Sequence, residues 1–297
     1  MIRLDINSKD YPVLLKELKN PPKELFIKGD FDPAIFNNCV SVVGSRKMSP
    51  YGRRAAEKYV TDLACGGLTV VSGFMYGIDA EAHRATLSVG GKTVAVMPCG
   101  IDLICPDFQT DLYEEILLSG GLVISEYPGD LPPKSWSFVQ RNRIVAGLSR
   151  CLLVVEAGEK SGSLITAKIT GDLGRDVFVV PGSVFSSSYK GIYQLIEKGA
   201  KVAVSSSCIS QKYDLGVFVS RAFGLSESNG VDLELQHTLL GNPDISSVLL
   251  KALKDEPMNT DQLIRETGLG LSEAISCLTS LTLQGIITEE GDKYYAN

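Results

Sequence analysis

From residue 39 onward, short and almost uninterrupted apolar runs alternate with segments whose apolar residues recur every three or four positions. The runs are Cys39–Val43, Leu68–Val71, Thr93–Met97, Leu122–Ser125, Cys151–Val155, Val177–Val180 and Lys201–Val204. The helical patterns between them are clearest over Tyr51–Cys65, Asp79–Val89, Asp111–Leu118, Leu164–Leu173 and Ile192–Lys198. A strand that is apolar on both sides needs cover on both sides. The pattern therefore predicts an α/β fold, a Rossmann-like, doubly wound and mostly parallel sheet over residues 39–205. Residues 1–38, broken by Tyr11-Pro12 and Pro21-Pro22, read as a short N-terminal extension made of a short helix and an extended lead-in.

Residues 206–240 mix Ser, Gly and Asn with short apolar stretches and read as a linker. The rhythm then changes. Ile245–Lys254 is amphipathic, Thr260 is placed to cap a helix over Asp261–Thr267, and Ser272 to cap a third through Leu283. Ile286–Glu290 and Lys293–Ala296, joined by Gly291-Asp292, then form a hairpin. Three helices and a hairpin predict a small C-terminal winged-helix domain over residues 241–297.

Charge changes the picture only when it is divided. The 297 residues carry a net charge of −6, which argues against a nucleic-acid partner. Residues 1–205, however, hold 23 Lys and Arg against 22 Asp and Glu, while residues 241–297 hold 4 against 9. The acidity sits at the C-terminus, and the large domain is free to carry a basic face. The winged-helix segment Ser272–Gln284 has one acidic residue, Glu273, and no Lys or Arg. A groove-reading helix needs cations to neutralise phosphates, so this one is expected to contact protein rather than duplex DNA. A winged-helix transcription regulator is disfavoured for the same reason.

No apolar run approaches the ~18–20 residues of a membrane span, and residues 1–10 have no signal-peptide core, so a cytoplasmic protein is expected. Seven scattered cysteines without a C-x-x-C pair exclude a zinc ribbon and read as reduced, mostly buried thiols. No metal site is expected.

Ligands on such a sheet bind beyond the carboxyl ends of its strands, and four loops there have unusual compositions. The first, Gly44 to Arg54, offers Gly44, Ser45, Arg46 and a following helix N-terminus to a phosphate; a solvated, basic loop with an ordinary helix cap is an equal reading. The second, Ser72 to Asp79, holds Ser72, Gly73 and Gly77 but no G-x-G-x-x-G, and the next strand ends in Met97-Pro98-Cys99 rather than an acidic residue. A dinucleotide cofactor is thereby disfavoured. His83, one turn on, reads as a structural hydrogen-bond partner. The third places Arg141, Asn142 and Arg143 at an expected helix start, just after Ser135, Trp136 and Phe138. Arginine forks suit phosphate and aromatic faces suit unpaired bases, though the two rings could equally pack the loop down. The fourth, Glu156 to Ser163, ends in donors around Ser161 and Gly162. No Ser/His/Asp triad, metal-ligand cluster or G-x-x-x-x-G-K-[ST] loop is present. Four donor-rich loops without an acid–base pair suit binding better than catalysis.

Taken in order, Val43-Gly44-Ser45-Arg46, Ser72–Asp79 with Ala82-His83, Arg141–Ser149, Glu156-Ala157, Ser161–Ala167, Gly174-Arg175 and Pro181-Gly182 resemble the DNA processing protein A family (DprA/Smf). The resemblance covers about residues 5–205 and continues into the winged-helix region. It departs at Cys105-Pro106, where the family has Tyr-Pro, and at Gly191-Ile192-Tyr193, where it has Gly-Thr-Asn. It implies a non-enzymatic, cofactor-free, dimeric protein that binds single-stranded DNA, protects incoming DNA in natural transformation and helps load the RecA recombinase. The DNA-contacting arginines would map onto Arg46 and Arg141, with Asn142 and Arg143 as neighbours. The glycine-rich loops would carry over as Gly44, Ser45, Ser72, Gly73, Gly77, Ser161 and Gly162. The runner-up is a nucleotide-processing enzyme like the Rossmann-type phosphoribohydrolases. The comparable loop here, Ser161–Ala167, lacks that group's closing glutamate.

Overall fold

The computed structural model describes residues 1–213 and, further on, 248–253, 257–270, 274–275, 277–278, 281–282, 286–290 and 293–296. The chain divides into two compact units, Met1–Glu227 and Ser228–Asn297.

The first unit is built on nine strands: β1 (Ile2–Asp5), β2 (Glu24–Lys28), β3 (Cys39–Val43), β4 (Thr69–Ser72), β5 (Thr93–Val96), β6 (Leu122–Ser125), β7 (Cys151–Val154), β8 (Asp176–Val179) and β9 (Lys201–Val202). Their order across the sheet is β1-β2-β6-β5-β4-β3-β7-β8-β9. From β6 to β9 every neighbouring pair is parallel. The order reverses between β3 and β7, which pair directly through Ser41↔Leu152 and Val43↔Val154. That reversal is the topological switch point where open α/β sheets form a crevice.

Among the described residues six helices of two or more turns cover the sheet: α1 (Pro50–Cys65), α2 (Ile78–Ser88), α3 (Thr110–Leu118), α4 (Ser135–Gly147), α5 (Ser163–Asp172) and α6 (Lys190–Glu197), with a single turn at Ser207–Ser210 beside them. Alternate strand residues point to opposite faces. Val40, Val42, Val70, Leu153 and Val155 meet Ala56, Val60, Leu63, Ile78 and Ala82 of α1 and α2. Ala95, Met97 and Val123 continue that layer against Leu112 and Ile116 of α3. On the other face Val43, Val71, Val94, Leu152 and Val154 pack with Ile144, Val145, Ala167, Ile192 and Leu195 of α4, α5 and α6.

Two elements differ from the sequence-based expectation. The first 38 residues do hold a short helix, of 3-10 type, but their extended parts are strands of the sheet: β1 and β2 pair antiparallel, and β2 pairs antiparallel with β6 at the sheet's edge. Between them a 3-10 turn over Val13–Glu17 packs Leu15 and Leu18 beside Gly147, where a Cβ would lie 2.7 Å from Leu15. Arg175 holds this arrangement. Its guanidinium donates to the carbonyls of Ala146, Gly147, Ser149 and Leu14 and to the Glu17 carboxylate. Second, Arg141, Asn142 and Arg143 do not start a helix but lie deep inside α4. Ser137, Arg141, Ile144 and Val145 form its buried stripe, so a serine and an arginine fill core-facing positions and disguise the helical period.

Residues 206–213 of the expected linker fold onto the sheet, where the Tyr213 hydroxyl donates to the Cys39 carbonyl at 2.5 Å. Residues 214–240 lie outside the described residues. In the second unit, residues 248–253 are helical and Thr260–Thr267 forms a helix. Its cap is Asn259 rather than Thr260: Asn259 Oδ1 accepts from Gln262 N–H, and Gln262 Oε1 accepts from Asn259 N–H. β10 (Ile287–Glu290) and β11 (Lys293–Ala296) pair as a hairpin. Leu249, Leu253, Leu263, Leu278, Leu281 and Ile287 form its core. Much of Ser272–Gln284 lies outside the described residues. No described helix is long and apolar enough to cross a membrane.

Candidate nucleic-acid interface

A cavity of about 500 Å³ opens at the switch point, walled by the loops after β3 and β7, the body of α4 and the start of α5. Gly44, Ser45, Arg46 and Lys47 line it from β3, Phe138, Arg141 and Asn142 from α4, and Lys160, Ser161, Gly162 and Ser163 from the β7–α5 loop. Met75 and Asp79 close it from α2 and the loop before it.

The two arginines singled out from the sequence have different surroundings. Arg46 is exposed, with its guanidinium 5.2 Å from the Phe138 ring centroid and 6.0 Å from that of Tyr76. Arg141 is only 4% exposed. Its Nη1 donates to the carbonyls of Gly73 and Val96, the latter at 2.5 Å, and its Nε to Asn142 Oδ1 at 3.3 Å. Burial lowers the Arg141 pKa, and the nearby Asp79 carboxylate opposes that shift. Burial likewise raises the Asp79 pKa, against the pull of Arg141. Arg141 is therefore a wall of the cavity rather than a fork on its rim. The rim's cations are Arg46, Lys47 and Lys160, all exposed and none in an ion pair among the described residues.

The helix ends differ as well. Of the two equal readings of the α1 start, amides offered to a phosphate or an ordinary helix cap, the structure has the cap, made by Ser49 and held by Glu156. The buried carboxylate Oε2 of Glu156 accepts from Ser49 N–H at 3.1 Å and from Ser49 Oγ at 2.6 Å. Ser49 Oγ accepts in turn from Gly52 N–H at 3.0 Å. A carboxylate at the positive end of a helix supplies the charge that an anionic ligand would bring. α5 has no side-chain cap; Ser161 Oγ is 2.7 Å from Ser163 Oγ and only 3.4 Å from Ser163 N–H. Its first amides have partners inside the chain, Ser163 N–H weakly on Ser161 Oγ, Leu164 N–H on the Ser161 carbonyl and Ile165 N–H on the Gly162 carbonyl, so what this end turns to the cavity beside Lys160 is neutral, with no carboxylate on it among the described residues.

Residues 3–214 match the family described as DNA recombination-mediator protein A, and residues 239–293 match a DprA winged helix domain. The chain belongs to the DNA recombination-mediator protein A family. It is 35% identical to Protein Smf of Synechocystis, over 96% of this chain and 77% of that protein. The solved structure of DNA processing protein A from Streptococcus pneumoniae superposes with a TM-score of 0.66 at 38% identity, over 71% of this chain and 74% of that one. DNA processing protein A from Helicobacter pylori, described for its unique single-stranded DNA binding mode, gives a TM-score of 0.63 at 29% identity. There the match covers 71% of this chain and 95% of that one. Family membership agrees with the Rossmann-like sheet and gives the second unit its winged-helix identity.

Of the residues read from the family's motifs, Gly44, Ser45, Arg46, Arg141, Asn142, Ser161 and Gly162 meet at the cavity. Ser72, Gly73, Gly77 and Arg143 do not line it. Ser72 Oγ donates to the Val42 carbonyl at 2.6 Å. A Cβ on Gly73 would lie 2.6 Å from Arg141 Nη1 and 2.6 Å from Asp79 Oδ2. Gly77, at φ +86°, lets its loop press on the β3–α1 loop, where a Cβ would sit 2.3 Å from the Ser45 carbonyl oxygen. Arg143 pairs with Glu126 at 2.5 Å and donates from Nε to Gln140 Oε1 at 3.2 Å. These four hold the loops in place. Lys47, Lys160 and Asp79 were missed as site residues, although their loops had been singled out. His83 is buried, with Nδ1 2.7 Å from Thr93 Oγ1, and burial pushes its pKa down to about 3.

Proposed function

We propose that this protein binds single-stranded DNA across the cavity without chemistry on it, and acts as a recombination mediator that hands the strand to a RecA-type recombinase. The observation that carries the reading is a cationic rim over a nearly neutral floor. Arg46, Lys47 and Lys160 stand unpaired around an opening whose wall sets Arg141 beside Asp79. Phosphates suit the rim and the Ser161 and Ser163 hydroxyls at the start of α5, while an uncharged base suits the interior. The single-stranded DNA binding described for the Helicobacter pylori relative supports it. A homodimer working in the cytoplasm, in natural transformation where the host takes up DNA, completes the proposal. Gly44, Ser45, Arg46, Asn142, Ser161 and Gly162 are its proposed DNA contacts, with Ser72, Gly73, Gly77, Arg141 and Arg143 shaping them.

The test is binding of labelled oligothymidine by wild type and by Arg46→Ala/Lys160→Ala at several salt concentrations. The double variant should bind more weakly, with a log–log salt slope flattened by about 0.7 for each lost phosphate contact. Equal affinity and equal slope would defeat the site assignment. One observation favours a second reading, a nucleotide-hydrolysing enzyme: Asp79 reaches the cavity and burial raises its pKa, as in acid–base groups. Release of free base from AMP by wild type but not by Asp79→Asn would establish it.

A further inference from the structure

Beside the cavity, on the side away from β7, two large rings stand in solvent. Tyr76, in the β4–α2 loop, is 42% exposed, and Phe108, between β5 and α3, is 70% exposed. Their ring centroids are 6.2 Å apart at an interplanar angle of 44°. The loops that bear them leave adjacent strands and are tied together, because Gln109 Nε2 donates to the Phe74 carbonyl at 3.0 Å inside the fold. The rings are thus held by buried neighbours while they themselves stay in water, an arrangement that leaves apolar area unburied.

The pair is continuous with the cavity. Arg46 lies over Tyr76 on one side and over Phe138, a cavity wall, on the other. Strand order sets the features in a row along the carboxyl edge: Phe108 after β5, Tyr76 after β4, Arg46 after β3 and Lys160 after β7. With neighbouring strands ~4.8 Å apart, β5 and β3 are separated by about 10 Å. Two aromatic faces therefore lead into two cations over the length of a short extended segment.

We propose that Tyr76 and Phe108 form a stacking ledge for the unpaired base of the nucleotide next to the cavity, with Arg46 holding the phosphate between the two. The inference rests on the single-stranded DNA reading above. Every base offers a π-face, so the ledge accepts any sequence. A duplex keeps its base faces stacked on one another, so the ledge discriminates against paired strands.

The test compares the full chain with Phe108→Ala and Tyr76→Ala/Phe108→Ala, using labelled oligothymidine and a matched strand of abasic sugar-phosphate. Phe108→Ala leaves both rings beside Arg46 in place. Loss of the ledge should weaken oligothymidine binding roughly five- to a hundredfold at an unchanged salt slope, because no phosphate contact is removed. The abasic strand should bind wild type and variants alike. Phe108→Trp should retain affinity, and Phe108→Leu, which keeps an apolar side chain without a π-face, should not. Leu118→Ala, an exposed apolar residue at the far end of α3, should change nothing. Unchanged oligothymidine affinity, a flattened slope or an equal loss on the abasic strand would overturn the ledge. Arg46→Ala/Lys160→Ala separates the two claims. If it weakens binding and the ledge variants do not, only the ledge falls; if it changes nothing, the DNA reading falls first.

Discussion

Two helix N-termini flank the switch point and meet opposite electrostatic fates. Each follows a parallel strand and a loop rich in Gly and Ser. At α1 the Glu156 carboxylate takes the Ser49 amide and hydroxyl, and the end is closed. At α5 the cap residue is Gly162, only the neutral Ser161 Oγ reaches the first turn, and the end lies at the cavity beside Lys160. Local sequence does not separate them; a residue 107 positions away does. A strand–loop–helix turn is an anion site only where no protein carboxylate has reached it first.

The sharpest way to break this contrast is Glu156→Ala. It strips a charged acceptor from two half-buried donors and should cost about 2 kcal/mol, read from urea unfolding midpoints. The reopened end should also let inorganic phosphate stabilise the variant more than wild type. An unchanged midpoint would mean that Glu156 does not hold α1. Gly52→Ala should come next, at about 2 kcal/mol, because its Cβ would fall 2.1 Å from Glu156 Oε2. In the double variant the two losses should sum to less than their separate values, since removing the carboxylate frees the space. At the open end, Lys160→Ala should leave the unfolding midpoint unchanged while flattening the salt slope of oligothymidine binding by about 0.7. The smallest effect is expected for Gly162→Ala. This glycine has φ −62° and ψ −23° with nothing within 4 Å of a Cβ, so alanine should stabilise by about 0.5 kcal/mol. Destabilisation there would show that the α5 end is more crowded than the α1 end, reversing the contrast.

The parallel strands were legible because each is apolar on both faces, and the amphipathic helices because their stripes are unbroken. α4 was not, since Ser137 and Arg141 occupy its buried side and mimic a polar loop. The candidate loops were found, but the role of each residue within them was not. Arg46 and Arg141 look equivalent as residues, and only the carbonyls of Gly73 and Val96, brought in from two other strands, separate a rim cation from a wall. Glu156 was passed over for the same reason: its partner lies across the switch point. Long-range pairing also explains β1 and β2, whose neighbour β6 begins almost a hundred residues later.

That last feature bears on the order in which the molecule is made. Within the sheet β1 and β2 leave the ribosome before the other seven strands, and two strands alone are at best marginally stable in water. Their docking edge, β6, and their latch, Arg175, are translated long afterwards. The strands of the sheet that are made before the others are thus among the last to be secured. Until then Leu25 and Ile27, fully buried in the finished sheet, must be kept from other chains.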